Sequence, residues 1–511
     1  MVHRIHKYGS PFVALLFFVC LLAPHTIDLT SQIYSEDSEF VAEQFLKEMS
    51  ECTTGLAGTT ATPDGRPLLW KNRDVGNGRQ EYHYKANAPI PFIGLTYSGD
   101  TLEYYAGLNV AGFAIENSDA SNLMGGNPGR NGWGFDPDDG EVMNAALSTC
   151  TTVEDFQKLL DSLNVDGRTN DHNYGVFDAF GGASMFEVDG YTYARYDAID
   201  SPGGWLVRSN YSYSGQDGMN WNGYSAWRHN RAYELFKEGW AKKNLTVQYL
   251  TSTVLRDLKT SANLADYAIP YDNYYNGAYG ILPHGDVICR SSTRSSMVAH
   301  GVAPGQRVDD GVVWAMVGNP IGGIFTPLWA RAGSTPEEFD NPNDFQYARL
   351  CGLSKAREDQ FSDWNGVNTL KLRNAQGTGY WDYVTGLESW MFRKVELFMN
   401  SPNLNYDNLR AFQNTFAKMA ADSIENWTSP TGMHEIAEPV VQDNAVILAW
   451  GESPPLVQLA GRAVTGYIVY RSAEPFREAA MGVKIATVNE NRYVDSSPLR
   501  NGGFYRVEAV Y

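Results

Sequence analysis

The stretch Cys52–Asp74, CTTGLAGTTATPDGRPLLWKNRD, is the part of the sequence from which the fold is predicted. Asp64-Gly65 is a hairpin-turn signal, and it predicts strand, tight turn and strand over residues 59–74. The second strand ends with the charged residues Lys71, Arg73 and Asp74. A thiol held beside such charges is a candidate nucleophile, whereas a small buried residue at the start of a strand is the alternative interpretation.

The composition indicates a folded protein with two domains and excludes some partners. The chain has 511 residues, of which 43% are hydrophobic and 19% are charged, and a chain of this length usually exceeds a single core. The formal net charge is −19. We therefore expect no nucleic-acid partner, because binding to phosphates requires a basic surface.

The N-terminus has the pattern of an export signal. A basic start precedes an apolar run at residues 11–23, which is shorter than a bilayer span requires. We expect residues 1–27 to be removed as a signal peptide, so that the protein is periplasmic, extracellular or at the cell surface. A retained anchor is the alternative. The polar, acidic residues 28–51 are either a pro-segment or an N-terminal helix, and no integral membrane span is expected once the signal is removed.

The cysteines predict neither a disulfide scaffold nor a zinc site. Those beyond the leader are Cys52, Cys150, Cys289 and Cys351. They are few for a chain of this size and include no CxxC pair. Residues 136–141 match a calcium loop only in part, because Leu147 stands where the bidentate glutamate belongs. We therefore expect no metal, and the thiol mechanism implied by the resemblance described below needs no organic cofactor.

Residues 52 to about 427 predict one large domain of strands and helices. A capping box of Thr151 with Glu154, followed by an apolar face, predicts a helix, and further helices are predicted at 390–399 and 409–424. Antiparallel hairpins combined with helices indicate an α+β layered fold.

The composition changes near residue 438. Strand-like runs follow at 446–450, 466–471, 483–488 and 504–510. Short, regularly spaced strands separated by turns are typical of a β-sandwich, and the strands with Trp450 and Tyr505 resemble a fibronectin type III module. We predict a β-sandwich at 438–511, after a linker at about 428–437, that acts as a spacer or adhesion unit.

A cysteine attacks a carbonyl well only as a thiolate, so Cys52 needs a nearby base or cation. One candidate base is the α-amine of the same residue, released when the preceding chain is removed. An α-amine has a pKa near ~8, so it can accept the thiol proton near neutral pH. A Cys–His pair with His172, His284 or His300 is an alternative.

An ordered set of segments resembles the linear amide C–N hydrolases. These are cysteine N-terminal-nucleophile (Ntn) enzymes, grouped with choloylglycine hydrolases, penicillin V acylases and isopenicillin-N acyltransferases. The segments are CTTG with DGRPLLWKNRD, AGLNVAGFAIENS at 106–118, NYGVFDA at 173–179, WLVRSNYS at 205–212, WAMVGNP at 314–320 and TPLW at 326–329. The resemblance spans roughly residues 52–330 and implies a four-layer αββα domain at 52–427.

The resemblance implies a role for each charged residue of the first hairpin. Cys52 would be the nucleophile, with its own amine as base, and Asp74 would hold that amine. Lys71 stands where some members carry an arginine, so Arg73 is expected to supply a guanidinium instead.

Three later residues also receive roles from the resemblance. Asn117 lies near the position that supplies one oxyanion contact, through its main chain or its side chain. Asn210 matches the side chain that donates to the tetrahedral oxyanion. Arg294 resembles a late arginine beside the nucleophile, and Arg290 is its rival for that place.

The expected function is an exported amidase that forms a thioester between Cys52 and the acyl group of a small N-acyl amide. Acyl transfer to an amine is the alternative chemistry, and a non-catalytic binding or adhesion protein is the alternative class. Signal peptidases favour small residues before the cut, but Glu51 precedes Cys52. A second cleavage is therefore expected to expose the amine.

Overall fold

The computed structural model describes residues 51–427, apart from 124–137, 169–170, 217, 219–222, 260–268, 272, 276–277, 341–346, 364–365, 375–376 and 401–404, and short stretches between 440 and 510. The signal peptide, the linker and all of the pro-segment except its last residue lie outside the described residues and stay predictions. Among the described helices, none is both long and apolar enough to cross a membrane.

The strands before residue 330 are β1 (Glu51–Ala57), β2 (Leu68–Asp74), β3 (Gln80–Lys85), β4 (Phe92–Tyr97), β5 (Ala106–Asn109), β6 (Ala114–Asp119), β7 (His172–Phe177), β8 (Ala183–Val188), β9 (Tyr193–Asp197), β10 (Trp205–Arg208), β11 (Tyr274–Tyr275), β12 (Ala278–Tyr279), β13 (Ile281–Leu282), β14 (Thr293–His300), β15 (Val312–Val317) and β16 (Thr326–Leu328).

The later strands are β17 (Ser362–Asp363), β18 (Gly366–Asn368), β19 (Val440–Gln442), β20 (Ala445–Ala449), β21 (Gly466–Ser472), β22 (Val483–Val488), β23 (Arg492–Asp495) and β24 (Phe504–Val510). The helices are α1 (Asp139–Thr149), α2 (Val153–Leu163), α3 (Tyr224–Ala241), α4 (Val247–Tyr249), α5 (Arg349–Phe361), α6 (Thr369–Leu372), α7 (Tyr380–Met399) and α8 (Tyr406–Asn426).

Two antiparallel sheets dominate residues 51–328. One has six strands in the order β10-β1-β2-β14-β15-β16, and the other has seven strands that run in sequence order from β3 to β9. The mixture of antiparallel sheets and helices confirms the α+β class. The four-layer order of the sheets and helices remains part of the proposal made below.

The first hairpin is longer than predicted. Its first strand is β1, and the residues expected to form that strand, 59–63, lie in the loop between β1 and β2. Pro63 and Pro67 flank the Asp64-Gly65 turn, and neither can donate to a strand ladder. The turn itself is present, since Gly65 has a φ of 70°, but it is part of a wider connection.

Successive side chains of β2 point to opposite sides of the sheet, so the two sides of the hairpin contact different parts of the protein. Lys71 faces the seven-stranded sheet, where its ammonium donates to the carbonyl of Tyr105 at 3.0 Å. Trp70 faces the opposite way and stacks on Phe236 of α3, with ring centroids 5.8 Å apart. One side of the hairpin is therefore covered by the second sheet and the other by a helix.

The seven-stranded sheet is apolar on both sides. Met185 of β8 belongs to the core shared with the six-stranded sheet, whereas its neighbour Phe186 belongs to a separate core with α1 and α2. In this second core Phe156 of α2 lies edge-on to Tyr174 and Phe186, at centroid distances of 5.6 and 5.2 Å. Helix α2 is thus anchored by one aromatic residue.

The predicted helices are present with shifted ends. Helix α2 begins one residue later than expected, because Thr152 is the N-cap and Asp155 completes the capping box. The helices predicted at 390–399 and 409–424 are parts of α7 and α8. Element boundaries shift because neighbouring Thr and acidic residues offer nearly equivalent caps.

The described residues from 440 to 510 form two three-stranded antiparallel sheets, β19-β20-β23 and β22-β21-β24. Asp495 of β23 contacts both strands β21 and β24. Its Oδ2 accepts hydrogen bonds from Arg471 and from the Tyr505 hydroxyl, each at 2.7 Å. Strands β20, β21, β22 and β24 lie close to where the sequence predicts them, whereas β19 and β23 were not predicted. The fibronectin type III-like sandwich remains a prediction.

We expect Phe156→Ala to lower the free energy of unfolding by about 3–5 kcal/mol, because it removes a fully buried ring and leaves a cavity. Urea unfolding would measure this change. The control is Val165→Ala, since Val165 is 80% exposed and should change the stability by less than about 0.5 kcal/mol. Equal effects of the two substitutions would contradict the role of Phe156.

Candidate active site

The backbone of Cys52 is held by groups from two other elements. Its amide nitrogen donates to Oδ1 of Asn210, in the segment after β10, at 2.7 Å. Its carbonyl oxygen accepts a hydrogen bond from the guanidinium of Arg228, in α3, at 2.5 Å. The nitrogen that cleavage would convert into an α-amine therefore already has a fixed acceptor.

The same contacts determine the orientation of the Asn210 amide. Arg228 Nη2 also donates to Asn210 Oδ1, at 3.0 Å. Because two donors meet on one oxygen, the amide must present its oxygen to them and its Nδ2 group to the other side. The predicted oxyanion donor thus lies beside Cys52, with its donor group facing away from the Cys52 nitrogen.

The Cys52 thiol is buried on the side of the sheet that carries Lys71 and Arg73. Burial raises the pKa of this thiol above its ordinary value, and Asp74 acts in the same direction, whereas Lys71 and, more weakly, Arg73 lower it. The net direction is upward. In the chain with Glu51 still attached, Cys52 is therefore a neutral thiol at neutral pH.

Lys71 lies on the same side of the hairpin as the Cys52 thiol and contacts Asn117 of β6. Its ammonium donates to Asn117 Oδ1, and Asn117 Nδ2 donates to Asp139 Oδ2 at 2.7 Å. Both polar atoms of the Asn117 side chain are therefore engaged. The structure places this residue as a support for Lys71, and an oxyanion contact from it would have to come from its main chain.

Glu116 is an acid next to Lys71 that the sequence did not single out. It is fully buried, and burial raises its pKa to about 8 although Lys71 lowers it. At neutral pH the Glu116 carboxyl is thus mostly protonated. It leaves the charge of Lys71 available to stabilise a thiolate.

Arg73 lies directly opposite Cys52 in the β1–β2 pairing. Its Nη1 donates to Gln80 Oε1 at 2.9 Å. The guanidinium lies over the rings of Tyr105 and Tyr97, at 3.8 and 4.5 Å from their centroids. Cation–π contacts of this kind stabilise a desolvated cation. Arg73 is therefore a fixed positive charge on the thiol's side of the hairpin.

Asp74 is fully buried and lies on the opposite side of the hairpin from Lys71 and Arg73. Its Oδ1 accepts a hydrogen bond from Thr293 at 2.6 Å. Its Oδ2 has no hydrogen-bond partner within the described residues, although Arg228 Nη1 is 3.9 Å away. Burial raises the pKa of Asp74 to about 7, against the opposing effects of Arg228 and Thr293. A buried carboxylate oxygen without a donor is energetically costly.

Arg290 and Arg294, the two candidates for the late arginine, contact different parts of the protein. Arg290 forms an ion pair with Glu51, the residue before the candidate nucleophile. Arg294 donates instead to the carbonyl oxygens of Ser291 and Thr293, at 2.8 and 3.2 Å. Of the two candidates, the structure brings Arg290 into contact with the cysteine's neighbour.

Arg228 is the important residue that the sequence interpretation missed. Its side chain is fully buried and contacts the Cys52 carbonyl, Asn210 and Glu51. Its position on α3 was the available signal, because Arg228 is spaced by helical turns from the buried residues Ala232 and Leu235. An arginine on an apolar stripe needs a buried partner.

Two groups of described residues could offer ligands to a metal: Glu81, His83 and Asp340, and Asp119, Asp139 and His172, each with donor atoms within 4.8 Å of one another. In the second group His172 Nε2 lies 3.0 Å from Asp119 and 3.5 Å from Asp139. The imidazole already occupies the space between the carboxylates. His300, an alternative base, pairs with Leu68 at the far end of β2 and contacts Asp64.

No protein-family model matches the sequence, and no curated protein matches it. Similar solved structures include a variant of conjugated bile acid hydrolase from Clostridium perfringens, at 11% identity and a TM-score of 0.35, over 57% of this chain and 100% of that chain. Another is penicillin V acylase from Agrobacterium tumefaciens, at 11% identity and a TM-score of 0.30, over 54% of this chain and 85% of that chain.

A third is a thermostable penicillin G acylase from Alcaligenes faecalis, at 10% identity and a TM-score of 0.30, over 39% of this chain and 51% of that chain. TM-scores of this size do not assign a function to this chain. Its function is inferred below from its own site.

We expect Asp74→Asn to stabilise the uncut chain more at high pH than at low pH. The Asp74 pKa is about 7 in the folded chain and about 3.9 in an unfolded one. The folded state therefore binds the extra proton in this window, and stability falls as the pH rises through it. Asn cannot ionise, so the gain should grow from near zero at about pH 4 to at most about 4 kcal/mol at about pH 8.

Urea unfolding at several pH values would measure this difference in a Cys52→Ala background, with intact mass used to verify that residue 51 is still attached. Asp155→Asn is a control with the opposite sign, because hydrogen bonds to Thr151 and Thr152 overcome desolvation and lower the pKa of Asp155 to about 2. A pH-independent effect of Asp74→Asn would show that Asp74 does not titrate in this window.

Proposed function

We propose that the protein is an exported Ntn amidase that hydrolyses the linear C–N bond of a small N-acyl amide through a thioester on Cys52. The observation that carries the proposal is the environment of the Cys52 nitrogen. Asn210 Oδ1 already accepts from it. Within the part of the chain that the structure describes, Oδ2 of buried Asp74, the residue paired with Glu51 across the hairpin, has no hydrogen-bond partner. A free α-amine would supply the donor that this oxygen requires.

Cleavage between Glu51 and Cys52 replaces one amide N–H by an amine with additional hydrogens. One hydrogen can keep the bond to Asn210, and another can be directed to Asp74. A positive charge on the nitrogen would favour the ionised form of Asp74 and lower its pKa from the raised value. In its neutral form the amine keeps both contacts, and its lone pair accepts the proton of the thiol, which gives the nitrogen this positive charge.

In the first half-reaction the thiol proton moves to the amine, and the thiolate attacks the acyl carbonyl carbon. Lys71 and Arg73 favour the thiolate. The carbonyl oxygen becomes an oxyanion, for which the Nδ2 group of Asn210 is the proposed donor. The C–N bond then breaks, the ammonium returns a proton to the leaving amine, and a thioester remains on Cys52.

In the second half-reaction the α-amine takes a proton from water, and the resulting hydroxide attacks the thioester carbonyl. The C–S bond breaks, the acid leaves, and Cys52 recovers its proton. The same intermediate would transfer its acyl group if an amine replaced water. No metal or organic cofactor takes part in these steps.

The wider organisation is part of the same proposal. The two apolar cores on either side of the seven-stranded sheet, and the packing of α3 against β2, support a four-layer αββα Ntn domain. Residues 1–27 would direct export, residues 28–51 would be removed as a pro-segment, and the C-terminal β-sandwich would serve as a spacer or adhesion unit.

We expect the exported, active protein to begin at Cys52. Intact-mass measurement with N-terminal sequencing, together with a panel of N-acyl amides that vary acyl group and amine independently, would test this. Cys52→Ala and treatment with iodoacetamide should both abolish hydrolysis. Hydrolysis by a protein that retains residues 28–51, or that ignores thiol alkylation, would disprove the mechanism. A protein that retains residues 28–51 and cleaves none of the amides would favour a binding protein.

We expect Asn210→Asp to separate the two functions of the amide. The substitution keeps an oxygen that can accept from Cys52 and Arg228, but it removes the Nδ2 donor. Loss of an oxyanion donor typically lowers kcat by ~10²–10³-fold. Single-turnover measurement of thioester formation would detect this loss, and Asn210→Ala, which removes donor and acceptor together, is the matched comparison. A wild-type rate for Asn210→Asp would exclude Asn210 as the oxyanion donor.

A further inference from the structure

A carboxylate of the chain itself lies beside the proposed catalytic centre. Oε2 of Glu51 is 3.3 Å from Nη2 of Arg228 and forms an ion pair with Arg290. The side chain of Arg228 is fully buried, and that of Arg290 is only 17% exposed. A single carboxylate thus neutralises two guanidinium groups that are largely withdrawn from water.

The proposed cleavage would remove this carboxylate. Within the described residues, no carboxylate other than that of Glu51 lies within 4.0 Å of Arg290. Arg228 would keep Asp74, at 3.9 Å, as its nearest acid. Because a desolvated cation without a counter-ion is costly, the mature site would present two converging guanidinium groups that favour an anion in the place left by Glu51.

The position of Glu51 also indicates which part of a substrate would carry that anion. In the uncut chain the Glu51 carbonyl carbon is bonded to the nitrogen of Cys52, and in a thioester the acyl carbonyl carbon is bonded to its sulfur. The atoms of Glu51 beyond its carbonyl therefore correspond to the acyl group by connectivity, and the leaving amine has no counterpart among them. Because the Cys52 thiol and the Glu51 side chain lie on opposite sides of the β1–β2 pair, the acyl chain would pass around the end of β1 that cleavage frees to reach the same two arginines. In Glu51, Cα, Cβ and Cγ separate the carbonyl from the carboxylate, as in a glutaryl group.

We propose that Arg228 and Arg290 bind the distal carboxylate of a dicarboxylic acyl group, so that the preferred substrates are N-glutaryl amides or amides with an acyl chain of similar length. This inference rests on the proposed function and specifies its substrate class. The guanidinium fork matches the geometry of a carboxylate and gives stronger hydrogen bonds than a neutral donor. The Arg228 side chain is fully buried, whereas the Glu51 side chain that it contacts is 45% exposed, so water is excluded from the arginine side of the carboxylate only.

The test compares amides of one chromogenic amine on the processed, exported protein. The acyl groups are glutaryl, succinyl, adipyl and valeryl, of which valeryl matches glutaryl in length but lacks the charge. We expect kcat/KM for the glutaryl amide to exceed that for the valeryl amide by ~10- to 100-fold, mainly through a lower KM. Arg290→Gln should reduce this ratio by ~10-fold or more.

Arg294→Gln is the matched control, because Arg294 belongs to the same segment of chain but donates to Ser291 and Thr293. It should leave the glutaryl-to-valeryl ratio unchanged. An N-valeryl amino acid, which carries its carboxylate on the amine, tests the opposite assignment. A preference for that substrate, or equal kcat/KM for glutaryl and valeryl amides, would overturn the inference.

A binding measurement separates the failure of this inference from failure of the proposed function. Glutarate should raise the melting temperature of the processed protein more than valerate does, and Arg290→Gln should remove the difference. If glutarate binds in this way but no amide is cleaved, the carboxylate site stands and the amidase proposal is wrong. If amides are cleaved in a Cys52-dependent reaction without any preference for carboxylated acyl groups, the amidase stands and this site is wrong.

Discussion

The antiparallel pairing of β1 with β2 determines which residues of the first hairpin share a side of the sheet with Cys52. Residues that face each other across the pair share a side of the sheet, and successive residues alternate. Because Cys52 is opposite Arg73 and Glu51 is opposite Asp74, the thiol shares its side with the cations, whereas the carboxylate lies on the side of α3. A shift of the register by one residue would exchange the two environments. The chemistry therefore depends on the register as much as on the residues.

The charged groups buried around this hairpin differ in how many of their polar atoms are hydrogen-bonded. This difference agrees with the proposed cleavage before Cys52. Arg73 has a hydrogen bond and two aromatic rings, and Arg228 has four neighbouring acceptors. One oxygen of Asp74 has no donor among the described residues, and the Nε atoms of Arg73 and Arg228 have no acceptor there. Native proteins rarely bury an unsatisfied carboxylate oxygen. An exception next to the residue that would acquire a free amine has a direct physical explanation.

The sequence was sufficient to predict the residues of the candidate site that lie close together in the chain. It was not sufficient for the residues that only tertiary packing brings to the site. The CTTG and WKNRD segments placed Cys52, Lys71, Arg73 and Asp74 on one hairpin, because a turn signal between strand-like runs is a short-range pattern. The start of β1 was placed too late, since Pro63 and Pro67 widen the loop. Arg228 was overlooked because its contacts with β1 are far away in sequence, and the choice between Arg290 and Arg294 depended on side-chain direction, which a linear pattern does not contain.

The peptide bond between Glu51 and Cys52 connects two properties of the site that would otherwise be independent. While the bond is intact, the Cys52 nitrogen is an amide that cannot accept a proton, and the thiol is neutral because burial raises its pKa. The same bond also keeps the Glu51 carboxylate on Arg228 and Arg290. Breaking it would create the base and release both guanidinium groups in a single event. A precursor organised in this way could neither bind nor attack an acidic acyl group, so activity and recognition would begin together at that cleavage.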